Sequence, residues 1–89
     1  MTKYEEVVNR ELKHSFYTGT RRNDYHATRV KEMTGKLTEG LENHQPFKTL
    51  WVELFTVYPE QESLRCMQRL FKAFGRPIPA GYEPVDDSL

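Results

Sequence analysis

At 89 residues the chain has room for one domain with one modest core, and too little mass for a deep catalytic cleft with its own supporting shell. Thirteen Lys and Arg balance thirteen Asp and Glu, so the cationic surplus that a sequence-indifferent nucleic-acid binder needs is missing, although a local basic patch is not excluded. Cys66 is the single cysteine, which excludes an internal disulfide and points to a reducing, cytoplasmic setting; acids near the start and no long apolar run predict a soluble chain with no signal peptide or membrane span.

Thr2 followed three residues later by Glu5 has the form of a capping box, which starts a first helix there. Tyr4, Val8, Leu12 and Phe16 continue it at steps of four, Val7 widens the stripe, and Gly19 is a suitable stop. Lys3, Glu6, Asn9, Arg10 and Lys13 take the wet side. After the polar connection Thr20–Asn23, Asn23 or Asp24 caps a second helix, on which Ala27, Val30, Met33, Thr34, Leu37 and Leu41 recur at helical spacing. Gly35 and Gly40 each cost about 1 kcal/mol in a helix interior. The second helix is therefore expected to end or fray between Gly40 and Glu42, with a strand pair turning at Gly35–Lys36 as the alternative.

Pro46 stands where a first helical residue tolerates the missing amide. Phe47, Leu50, Trp51, Leu54, Phe55 and Tyr58 then fall at i, i+3, i+4, i+7, i+8 and i+11, one continuous face that the rest of the chain must cover. A buried strand is the competing reading of this short apolar run, and the six-residue helical match decides against it. Pro59 ends this third helix and opens a fourth, whose first turn carries Glu60 and Glu62 where the helix dipole favours acids. Leu64, Met67, Leu70, Phe71 and Phe74 form its inner stripe, and Gly75 with Pro77 stops it. The fold class is all-α: a compact bundle of about four helices over residues 1–75, with short loops, followed by an extended Pro-rich tail over 76–89. Ile78, Tyr82 and Val85 are placed to lay the tail across the bundle, whereas Asp86–Leu89 has nothing to hold it and is expected to be mobile.

No catalytic signature is present. His14, His26 and His44 lack a ligand spacing for zinc or a di-iron site, so no metal or cofactor is expected. Cys66 lies at the border of the inner stripe, where a free cysteine is usually a packing residue, and the carboxylates are dispersed over polar faces with no pair set up for acid and base work. Gly35–Lys36 lacks the earlier glycine and the hydroxyl of a phosphate loop.

Two features stand above this background. Arg65, Arg69, Lys72 and Arg76 recur within roughly 60° of helical arc opposite the inner stripe, giving a basic ridge. Arg21 and Arg22, with Arg29 and Lys31, give a second basic cluster. The eleven aromatic residues also exceed what a four-helix core of this size readily encloses, and exposed members beside arginines, Tyr25 and Tyr82 among them, have the composition of a binding hot spot. The sequence thus predicts a non-enzymatic module that occupies a surface of a larger protein or complex, as an inhibitor, adaptor or accessory factor of the kind phage or mobile elements encode, or that pairs with a second copy of itself. The alternative is a helix-turn-helix DNA-binding protein formed by the third and fourth helices, against which Glu60 and Glu62 stand at the start of the recognition helix.

Overall fold

In a computed structural model, residues 3–84 are described; Thr2 of the expected capping box, Val85 and residues 86–89 lie outside them. Helix α1 spans Lys3–Phe16, a 3-10 turn follows at Gly19–Arg21, and α2 (Asp24–Glu42), α3 (Phe47–Phe55) and α4 (Glu60–Ala73) complete the chain order. The fold is all-α, a four-helix globule, and the described residues contain no strand. No helix among them is long and apolar enough to cross a membrane.

Side-chain pairs fix how the helices run. Tyr4 meets Phe74, the Glu11 carboxylate meets Arg69, and Phe16 stacks on Tyr58, so α4 runs antiparallel to α1. Phe47 sits edge-on to Phe71 while the Trp51 indole donates to the Glu60 carbonyl, so α3 is antiparallel to α4 in turn. The most extensive packing is between α1 and α2. The core consists of Val8, Leu12 and Phe16 from α1, Val30, Met33, Leu37 and Leu41 from α2, Phe47, Leu50 and Leu54 from α3, and Cys66, Met67, Leu70 and Phe71 from α4, with Tyr58 from the turn between the last two. Each fully buried large side chain contributes about 1.5–3 kcal/mol by transfer from water.

Helix boundaries follow local chemistry. Asn23 caps α2, its Oδ1 accepting the His26 amide at 3.0 Å while its Nδ2 donates to the Thr20 carbonyl. At the far end, the His44 and Gln45 amides donate back to the carbonyls of Leu41 and Gly40, and His44 takes a left-handed φ of 56° where glycine is the usual occupant. Helix α4 closes the same way with a better-suited residue: Gly75, at φ 66°, donates to Lys72, and Arg76 donates to Phe71. Pro46 and Pro59 each stand one residue before their helix, as extended N-caps.

The apolar face proposed for residues 47–58 is kept, but its helix is shorter than the pattern. Helix α3 ends at Phe55, a turn carries Tyr58 inward, and Trp51 and Phe55 are only half-buried. On α4 the buried line is Ser63, Cys66, Met67, Leu70 and Phe71. The stripe is therefore centred slightly N-terminal of the one read from the apolar residues, and Cys66 is interior, not on a border. Gly40 does not mark fraying: α2 runs through it, and a Cβ there would overlap a δ-methyl of Leu50, so the missing side chain lets α3 approach α2.

After Gly75 the chain turns back onto the bundle. Arg76 Nη2 donates to the Leu41 carbonyl at 3.1 Å and to the Tyr4 hydroxyl at 3.3 Å, with its guanidinium over the Tyr4 ring. The Tyr82 ring packs on Phe47 and Trp51, and Gln68 Nε2 donates to the Tyr82 carbonyl at 2.9 Å. Residues 76–84 thus cover apolar surface that α3 and α4 alone leave open.

Candidate partner-binding faces

The residues singled out in the sequence fall on two faces. The first lies where the 3-10 turn enters α2. Arg21 is not free there: Nη1 and Nη2 donate to the two carboxylate oxygens of Glu62 at 2.9 and 3.0 Å, tying the turn to the first turn of α4. The hydrogen-bonded pairing raises the arginine pKa and lowers that of Glu62. Arg22, next in the chain, is exposed.

Tyr25 is 62 % exposed, and among the described residues the only other exposed large hydrophobic side chain is Val52 at 39 %. Its ring is nevertheless held in place. The Arg29 guanidinium stands over it at 5.4 Å, and the His26 ring meets it edge-on at 5.0 Å. His26 in turn stacks on Tyr58, and Tyr58 stacks on Phe16 at 3.8 Å, so a ladder of rings runs from the surface to the core. Burial raises the Tyr58 pKa. Around Tyr25, the Tyr58 hydroxyl, Nδ1 of His26 and Nε of Arg29 are buried without a hydrogen-bond partner.

The second face is on α4, and it differs from the four-residue ridge read from the sequence. Arg76 does not belong to it, because α4 ends at Ala73 and the left-handed Gly75 turns the chain inward before Arg76 is reached. Arg69 is half-committed: its Nε donates to Glu11 Oε2 at 3.0 Å, and the Glu11 side chain is only 10 % exposed. Removing Arg69 would take away the hydrogen-bonded partner of that buried carboxylate and leave only Arg10, its Nε 3.7 Å from Oε1, to balance it. Arg65 and Lys72 are exposed, and no ion pair involves them among the described residues. With Arg69 and Gln68 they border a groove of about 300 Å³ whose opposite wall is Ile78 and Pro84. Tyr82, expected as a contact residue, is half-buried on Phe47 and Trp51. A larger groove of about 420 Å³ lies between α1 and α2, lined by Asn9, Tyr17, Ala27, Val30 and Thr34 with Lys13 and Lys31 beside them.

The histidines do not converge: His14 is exposed on α1, His44 is exposed in the turn after α2, and His26 belongs to the ring ladder. Among the described residues no group of three or more His, Cys, Asp or Glu is placed to hold a metal ion. Cys66 is fully buried, its Sγ 3.9 Å from the Glu11 carbonyl, and burial pushes its thiol pKa up to about 11. Since a free thiol titrates near about 8.5, the fold prefers the protonated form; that contribution is complete below about pH 8.5 and disappears as pH rises toward the folded value. Denaturant titrations in this window are expected to show stability falling by about 3 kcal/mol, a slope that Cys66→Ala flattens. An unchanged slope in the variant would assign the alkaline loss to other groups.

Glu11 and the ring ladder are the site features that composition did not announce. A signal for Glu11 existed, since it stands three and four residues after Val8 and Val7 and so falls inside the apolar arc of α1. Comparison with protein-family profiles, with characterised proteins and with solved structures gives no match to this chain.

Proposed function

We propose that the protein is a non-enzymatic binding module that docks on a larger protein through the Tyr25 face. Tyr25 is the observation that carries this reading: an aromatic side chain left well exposed, yet fixed by Arg29 and His26 before any partner arrives. Tyrosine and arginine dominate the energetics of protein interfaces, and a side chain already held in one orientation loses little entropy on binding. Arg22 beside it adds a cation whose charge steers an acidic surface toward the face. The unpartnered polar atoms of Tyr58, His26 and Arg29 around it supply further hydrogen-bonding capacity to a contact that reaches them.

Affinity capture from the source cells, comparing wild type with Tyr25→Ala, tests the proposal. Because Tyr25 is exposed, the variant is expected to melt within a few degrees of wild type and to lose partner affinity about thirtyfold, the size of a hot-spot truncation. Equal capture by both proteins removes the face from the reading. Recovery of nucleic acid instead, with affinity falling steeply as salt rises, transfers the chain to the DNA-binding alternative.

A further inference from the structure

The groove on α4 is separate from the Tyr25 face and does not depend on it. Its two walls differ in chemistry. One is helical and cationic, with Arg65, Arg69 and Lys72 on successive turns; the other is apolar, made by Ile78 and Pro84 of the returning chain. Arg69 is partly neutralised by Glu11, but Arg65 and Lys72 make no ion pair, the nearby Glu62 being hydrogen-bonded to Arg21, and among the described residues no acidic side chain lines the groove. A neutral or basic occupant would leave these cations unmatched. At about 300 Å³ the space lies at the lower end of ligand-pocket sizes, enough for one large side chain with its flanking backbone.

The geometry points to a short acidic segment of a partner protein, one apolar side chain flanked by carboxylates, as the occupant of this groove. Arg65 and Lys72 are seven residues apart, so their Cα atoms are separated by about 10 Å along the helix. In an extended peptide, residues i, i+2 and i+4 share a face, and the outer two lie about 13 Å apart. A carboxylate, an apolar residue and a second carboxylate at those three positions would meet Arg65, the Ile78–Pro84 wall and Lys72 in turn, within the reach of long basic side chains. The apolar contact selects the segment and the charges set its register.

Fluorescence anisotropy with a labelled Ser-Asp-Ser-Leu-Ser-Asp-Ser peptide, at about 0.15 M salt where loose surface attraction is screened, is the direct measurement. Saturable binding by the full chain is expected, weakened at least tenfold by Arg65→Glu with Lys72→Glu and at least fivefold when the peptide's leucine is replaced by serine. Both positions are exposed, so circular dichroism and melting of the double variant should match wild type; Arg69 is left in place to keep Glu11 paired. Equal binding of the leucine and serine peptides would reduce the effect to charge attraction and overturn the groove. Absence of binding to the wild type and to Asp86→Asn with Asp87→Asn also overturns it. Binding seen only in that neutralised variant would assign the groove to the chain's own acidic pair, again against a partner segment. Tyr25→Ala is expected to bind the peptide as wild type does, which separates this proposal from the docking face.

Discussion

Phe16→Ala is expected to cost about 3–5 kcal/mol, close to the whole stability of a domain this size if it lies near the low end of the usual range. Phe16 is fully buried at the last turn of α1, and its ring lies flat against Tyr58 with centroids 3.8 Å apart and planes 5° from parallel. Truncation removes the transfer energy of the ring, opens a cavity, and takes away one of the two surfaces between which Tyr58 is held, the other being His26. Since Tyr58 anchors the turn between α3 and α4, the loss spreads to how those helices meet. Thermal unfolding should fall by at least about 12 °C, with Phe16→Leu, closer in volume, losing much less than Phe16→Ala. A drop of only a few degrees for Phe16→Ala would mean the site collapses around the gap.

The glycines of α2 provide the second large effect, and here the informative quantity is a difference in sign. Gly40→Ala places a methyl on the δ-carbon of Leu50, itself 1 % exposed and packed in the core with little freedom to move aside. Overpacking costs about 1–3 kcal/mol against a gain of about 1 kcal/mol from alanine's helix propensity, so a net change between about zero and a loss of about 2 kcal/mol is expected, never the gain that an open helical site gives. Gly35→Ala meets nothing within 4 Å and should be stabilising by about 1 kcal/mol. Both are read from chemical denaturation. In a Leu50→Ala background the penalty at position 40 should vanish, because the space that the new methyl needs has been emptied. If Gly40→Ala stabilised the wild type as Gly35→Ala does, the close approach of α2 and α3 would not be a constraint.

The two glycines explain part of what the amino-acid order could reveal. Spacing of apolar residues located all four helices, because an amphipathic helix announces itself within its own residues. The cost of Gly40 was equally visible, but its compensation was not, since the reason for it is Leu50 on another helix. The α4 ridge failed for a related reason. A 100° projection carried Arg76 onto the same arc as Arg65, although Gly75 had already signalled the end of the helix, and the Schellman turn sends that guanidinium to Leu41 and Tyr4 instead. Part of the aromatic surplus, Tyr25 and Tyr82 among it, was likewise read as surface. Much of it is absorbed by contacts distant in sequence, Tyr4 with Phe74 and Arg76, and Tyr82 with Phe47 and Trp51, leaving Tyr25 as the well-exposed ring. Positions of helices are local information; which side chains remain available to a partner is decided by what folds over them.

Trp51 is the chain's one tryptophan, and its indole touches the Tyr82 ring at 5.5 Å while donating to the Glu60 carbonyl at 3.2 Å. The molecule therefore carries an intrinsic optical gauge of its returning segment. Lifting Tyr82 away would wet the indole and redden its emission while the far-ultraviolet helix signal stayed constant, so release of this strap and loss of the bundle are separable with ordinary spectroscopy and no added label.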